Sequence, residues 1–140
     1  MSTRCLIARE REDGRIEAIY CHHDGYPNHA GRILREHYRQ EEKVKALIAL
    51  GGLSALGAEL GRKLSPRKVR RRWGFQTNTC VAYHRDLGEE KIEIHHFDQA
   101  EELLEKAGEF WAEYVYLYRH DSKSWWYGEV FGPEKAWQKL

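Results

Sequence analysis

The chain has 140 residues and a formal net charge of +1, from 23 Lys and Arg against 22 Asp and Glu. With 41% hydrophobic and 12% aromatic residues, it has enough large apolar side chains to exclude a chain that is disordered throughout. At about 100–200 residues per domain, the length predicts a single domain over residues 1–140.

Neither a membrane protein nor an exported protein is expected. No apolar run approaches the ~20 residues of a membrane helix, and residues 1–10 lack the apolar stretch of a signal peptide. The cysteines Cys5, Cys21 and Cys80 are odd in number and form no CxxC pair, which argues against a disulfide framework. We therefore expect a cytoplasmic protein with free thiols.

The N-terminal half predicts a hairpin followed by helices. Apolar runs at 3–10 and 15–23 flank a turn that contains Asp-Gly, a strong hairpin signal, and the second run is apolar on both faces, as in a central strand. Pro27 can open a helix, and the apolar spacing through Ile48 continues as a second helix that Gly51-Gly52 ends. A short third helix is expected at 54–60.

The C-terminal half predicts more strands and two further helices. The strands are expected at 79–86, 91–97, 113–120 and 124–131. A helix with one apolar side is expected at 98–109, and a short one begins at Pro133. The whole order predicts an α+β domain: a mainly antiparallel sheet of about six strands built from hairpins, with helices packed on it.

An exposed basic connection is expected at about 62–78. Residues 62–72 hold seven cations and no anion, so the rest of the chain carries 16 cations against 22 anions. Like charges this close repel one another unless an anion compensates them, which favours a phosphate-bearing ligand. The cations expected to bind it are Arg67, Lys68, Arg70, Arg71 and Arg72, with Trp73 and Phe75 near enough to stack on bases.

Two other interpretations of the basic run stay open. The run could be a solvated loop, as most charge runs are. It could also lie against the acidic stretch 98–113, which carries six acids and one Lys, within one molecule or between two copies.

Two cysteines and two histidines could converge on a metal if their strands were neighbours. They are Cys21, His23, Cys80 and His84. Their spacing is not a recognised zinc pattern, and such residues on strands are more often packed or hydrogen-bonded. We therefore expect no metal and no other cofactor.

Catalytic candidates are weak. His22, His23, Asp24 and His84 could serve a small hydrolase or nucleotide-modifying enzyme, but no set of nucleophile, base and oxyanion donors is visible. The fragment His84-Arg85-Asp86 occurs in the catalytic loop of protein kinases, yet the other kinase motifs are absent. The residues favour binding over turnover.

Three tyrosines alternate along one predicted strand: Tyr114, Tyr116 and Tyr118. If Val115 and Leu117 face the core, the tyrosines form an exposed stripe suited to partner contact. The alternative is that helices cover this face and the stripe belongs to the core.

Four segments carry a resemblance to a known group. STRCLIA, AIYCHHDGYP, CVAYHRDLGE and EYVYLYRHDSKSWWY together resemble small, mostly uncharacterised proteins encoded by bacteriophages and prophages. In that group the second segment commonly reads CHWDGYP, so His23 stands where the pattern has Trp. The resemblance implies an accessory role in phage infection, such as countering a host defence, in the bacterial cytoplasm. It implies no catalytic residue.

The leading hypothesis is thus a phage-type accessory binding protein whose partner is a host protein, a nucleic acid or a nucleotide, without membrane contact. The alternatives are the small hydrolase and a structural homo-oligomer that joins the basic run to the acidic stretch.

Overall fold

A computed structural model of the protein describes residues 2–63 and 78–140. In this part of the chain, the strands are β1 (Cys5–Glu10), β2 (Ile16–Cys21), β3 (Leu53–Ala55), β4 (Val81–Ala82), β5 (His95–Phe97), β6 (Tyr114–Arg119), β7 (Ser124–Glu129) and β8 (Gln138–Lys139). The α-helices are α1 (Arg32–His37), α2 (Glu41–Ala49) and α3 (Ala100–Lys106). A π-helical turn, Pro27–Gly31, leads into α1, and a 3-10 turn, Ala107–Phe110, follows α3.

The eight described strands form one sheet in the order β4-β3-β2-β1-β6-β7-β8, and β5 pairs with the first half of β2. The fold class α+β is confirmed, and β2 is central as expected. The described sheet has eight strands rather than about six. It is mainly antiparallel, as expected, but it is mixed, because β1 pairs with β6 and β2 pairs with β3 in parallel. Helices α1 and α2 connect β2 to β3 as a crossover between parallel strands, and Leu53 at the start of β3 lies opposite Cys21 at the end of β2.

Helices cover both faces of the sheet, which explains why the central strands are apolar on both sides. Cys5 and Ile7 lie in the core beneath α1 and α2, whereas Leu6 and Ala8 lie in a second core beneath α3. The strand period of two sends neighbouring residues to opposite cores.

The tyrosine stripe belongs to the core, so the expectation of an exposed contact surface is corrected. Tyr116 and Tyr118 are buried, and Tyr114 is half-buried. The Tyr116 hydroxyl donates to the Gly25 carbonyl at 2.7 Å, and the Tyr118 hydroxyl donates to the Arg39 carbonyl at 3.1 Å. Val115 and Leu117 do face a core, but α1 and α2 supply a second core on the tyrosine side.

Three short elements differ from the sequence prediction. Ser54 begins no helix, because β3 joins the sheet and its Leu53 carbonyl accepts the His22 amide at 3.0 Å. The strand expected at 79–86 shortens to β4 and then turns. No helix follows Pro133: the chain instead ends in β8, which pairs with β7. All three outcomes depend on partners that are distant in sequence.

Tyr116→Phe is expected to lower the free energy of unfolding by about 1–3 kcal/mol, because the buried Gly25 carbonyl loses its donor. Urea unfolding measures the change. The control is Tyr127→Phe, which removes a hydroxyl that bonds the exposed Gln138 side chain and should cost much less. Equal stability of Tyr116→Phe and wild type would contradict this account of the core.

Candidate functional site

The basic segment begins and ends at a closed stem. Glu59 and Thr79 form a β-bridge, the Glu59 amide donates to Asn78 at 2.7 Å, and the Cys80 amide donates to Glu59 at 2.9 Å. Residues 63 and 78 therefore leave and rejoin the fold beside β3 and β4. The exposed Arg62 and Lys63 are the described cations of the segment. The predicted binding residues Arg67, Lys68, Arg70, Arg71, Arg72, Trp73 and Phe75 lie outside the described residues.

An ion pair holds the two sides of the stem together. The side chain of Asp86 is completely buried and accepts the Ala82 amide at 2.8 Å and the Arg85 guanidinium at 3.0 Å. Arg85 also donates to the Cys80 carbonyl at 3.0 Å and to the Gly61 carbonyl at 3.3 Å. One guanidinium thus links both sides of the stem to a buried carboxylate, which satisfies the buried charge.

A buried hydroxyl and thiol complete the stem. The Tyr38 hydroxyl donates to the Gly57 carbonyl at 2.7 Å and contacts the Cys80 sulfur at 3.3 Å, while the Gly57 amide points at the same sulfur. Burial raises the pKa of Tyr38 and of Cys80, so both stay neutral. Cys80 is therefore a packing residue of the stem.

The metal candidates do not converge. Cys80 lies in the stem, His84 bonds the Glu89 carbonyl of its own turn at 2.8 Å, and Cys21 contacts the His23 carbonyl at 3.7 Å. Over residues 2–63 and 78–140, no group of three or more His, Cys, Asp or Glu could hold a metal ion.

The catalytic candidates are split between two places. His22 and His23 follow the end of β2, and their ring centroids are 4.6 Å apart in an edge-on contact. Because β2 ends at Cys21, the alternation of side chains along a strand does not send these two rings to opposite faces. Asp24 is exposed, in the left-handed region with a φ of 55°. The His84 Nδ1 hydrogen-bonds to the Glu89 carbonyl of the turn after β4.

A polar cluster that the sequence analysis did not single out lies at the same end of the sheet. It consists of Arg4, Tyr20 and His22. The Tyr20 hydroxyl and the His22 Nδ1 are 2.7 Å apart, and the Arg4 guanidinium interacts electrostatically with both side chains. Burial lowers the pKa of His22, and the nearby His23 and Arg4 lower it further, so its imidazole is neutral at pH 7. The sequence feature that could have indicated this cluster is a pair of polar residues, Tyr20 and His22, two positions apart at the end of an apolar strand.

Comparison of the chain with protein-family models, with curated proteins and with solved structures found no match in any of the three. Among the helices of the described part, none combines the length and the apolarity that crossing a membrane requires.

Gly57→Ala is expected to open the stem and to lower the free energy of unfolding by about 1–3 kcal/mol. A Cβ at this position would lie 2.5 Å from the Thr79 carbonyl carbon and 2.6 Å from Asn78, both backbone contacts that cannot move separately. Amide exchange at Glu59 and Cys80 should accelerate. The control is Gly52→Ala, whose Cβ would meet its nearest neighbour at an ordinary 3.5 Å. An equal effect of both substitutions would refute the tight approach at Gly57.

Acidification is expected to destabilise the fold through His22 and His95. Burial lowers the pKa of both below the ordinary 6.5, so the unfolded chain binds more protons than the folded one below that pH. The stability that depends on their neutral form is fully present above pH 6.5 and is lost as the pH falls through the folded values. Urea unfolding between about pH 7.5 and 5.5 measures the slope.

The variant His22→Gln/His95→Gln should show a shallower loss of stability over this range than the wild type. His37→Gln, at an exposed position of α1, is the matched control and should keep the wild-type slope. A double variant that loses stability as steeply as the wild type would remove these two histidines from the explanation.

Proposed function

We propose that the protein binds a phosphate-bearing ligand, with a nucleic acid as the first candidate, through its basic segment 62–72. The observation that carries the proposal is the presence of seven cations and no anion in eleven consecutive residues of a chain whose remainder is net negative. Keeping seven like charges close together costs electrostatic free energy, and bound phosphates would offset this cost.

The stem supports this proposal. Its hydrogen bonds with Glu59 and its Arg85–Asp86 pair hold together the described residues on either side of the segment, around Gly61 and Cys80. Repulsion among the seven charges favours an external counterion. Release of the ligand's own counterions then makes binding dependent on salt.

The competing acidic stretch already has internal contacts. Glu102 accepts Lys106 at 3.2 Å and the Asp98 amide at 3.2 Å, and Asp98 lies 3.7 Å from Arg15. The first two contacts lower the pKa of Glu102 and keep it ionised. At least these two carboxylates have partners outside the basic segment, which favours an external ligand over an intramolecular pairing.

The resemblance to phage-encoded proteins supports a biological setting for this binding. We propose that the protein acts in the bacterial cytoplasm during phage infection, as an accessory protein that engages a host component. The segment would contribute attraction to the phosphate backbone of its target.

Arg70→Gln/Arg71→Gln/Arg72→Gln is expected to weaken binding to a single-stranded oligonucleotide and to reduce its dependence on salt. Since each phosphate contact contributes about 0.7 to the slope of log K against log salt, three lost contacts should reduce it by about 2. Fluorescence anisotropy over a series of salt concentrations measures both quantities.

The matched control is Arg32→Gln/Arg35→Gln/Arg39→Gln, which removes three exposed cations elsewhere and should leave the slope nearly unchanged. Light scattering without ligand tests the homo-oligomer. Assembly that dissociates in high salt, together with unchanged oligonucleotide affinity in the first variant, would refute the proposal.

A further inference from the structure

The polar cluster of Arg4, Tyr20 and His22 lies at the margin of the core beneath α3, against which Tyr20 packs. Along β2, the residues Ile16 and Ala18 of this face are buried in the α3 core. The next two residues on the same side, Tyr20 and His22, are only half-buried. The face therefore changes from apolar and buried to polar and half-buried along β2.

The register of the hairpin brings the cluster together. Tyr20 lies opposite Leu6, and Cys21 lies opposite Cys5. Continuing the ladder by one residue places Arg4 beside His22, so two neighbouring strands contribute one cation and one imidazole to the same place. The fold does not require a cation and an imidazole at this place, since any polar residue would be tolerated at a solvated strand end.

The hydrogen-bond directions in the cluster follow from the chemistry of its groups. The Arg4 guanidinium interacts electrostatically with Tyr20. Because a guanidinium only donates, it favours an arrangement in which the lone pairs of the Tyr20 oxygen face Arg4 and the hydroxyl hydrogen faces away from it. The one hydroxyl hydrogen of Tyr20 then goes to the His22 Nδ1 at 2.7 Å. A neutral imidazole that accepts at Nδ1 carries its hydrogen on Nε2. The chain of bonds thus ends in an Nε2–H donor.

The imidazole is held in place on two sides. Tyr20 fixes its Nδ1, and the ring of His23 meets it edge-on at 4.6 Å. His23 is in turn bonded through its Nδ1 to the Ser2 hydroxyl at 2.7 Å. Such preorganisation reduces the side-chain entropy that His22 would lose when a ligand binds.

We propose that Arg4 and His22 bind a small oxyanion group, a phosphate or a carboxylate, at this end of the sheet. The guanidinium and the Nε2–H are both donors, so a ligand rich in acceptor oxygens satisfies them together. The proposed site contains no residue of the 62–72 segment, and its proposal does not depend on the proposed function.

Glu113 is the opposing charge at this site. Its amide donates to the Arg4 carbonyl at 2.8 Å, so β6 places an exposed carboxylate residue next to β1 at the level of Arg4. An anionic ligand would be repelled by this carboxylate. Removing its charge should therefore strengthen binding, whereas removing Arg4 should weaken it.

The test uses the full chain and two probes, inorganic phosphate and acetate. Nitrogen spectra of the histidine side chains follow His22 during each titration. We expect at least one probe to shift the His22 nitrogens, and the probe that does so identifies the oxyanion. Arg4→Gln should raise the dissociation constant about tenfold, as expected for loss of a charge-assisted hydrogen bond, and Glu113→Gln should lower it.

Two further variants test whether the oxyanion binds at Arg4 and His22. Arg70→Gln/Arg71→Gln/Arg72→Gln should keep the full response, which separates this site from the basic segment. His22→Gln should weaken binding of the active probe, measured by equilibrium dialysis, in a protein whose amide spectrum shows the native fold. The proposal is overturned if neither probe shifts His22, if the response survives Arg4→Gln, or if it disappears in the triple variant.

Discussion

In a sheet that helices cover on both faces, polar side chains at the centre of a strand have no access to water. This constraint determines where binding or catalytic residues can lie. Residues of β1 alternate between two apolar cores, so neither side of the strand can carry chemistry along its centre. A polar group at the centre of a strand needs an internal partner, as the Tyr116 hydroxyl of β6 has in the Gly25 carbonyl, so solvated polar groups lie at strand ends and sheet edges. The Arg4–Tyr20–His22 cluster occupies a strand end, and the stem of the basic segment occupies the edge formed by β3 and β4.

The stem illustrates how a buried charge organises its surroundings. Once Asp86 is completely buried, it has to be paired, and Arg85 and the Ala82 amide provide its partners. Arg85 has donors left over, and these hold Gly61 and Cys80, which lie on opposite sides of the stem. A three-residue fragment that occurs in kinase catalytic loops therefore has a structural role in this fold, since its Arg and Asp bind each other and the local backbone.

The sequence predicted what neighbouring residues determine. The first hairpin, the central position of β2 and the helix after Pro27 depend on Asp-Gly, alternation and proline geometry, and all are confirmed. The parallel pairing of β1 with β6 and the covering of Tyr116 depend on contacts about a hundred residues apart, which no local pattern records. For the same reason, His22 was a candidate from its residue type, but its partner Arg4 became visible only through the strand register.

The two proposed binding regions differ in the physics of their attraction. The like charges of the basic segment act over a distance of about 10 Å at 0.1 M salt and have little directional preference, so they suit a ligand with many phosphates. Arg4 and His22 are half-buried, and the 2.7 Å contact with the Tyr20 hydroxyl orients the His22 ring. Directional, partly desolvated donors are screened less by salt and suit one oxyanion group. A ligand that combined a polyanionic chain with a terminal phosphate could use both regions, in which case its affinity would contain a strongly salt-dependent part and a weakly salt-dependent part.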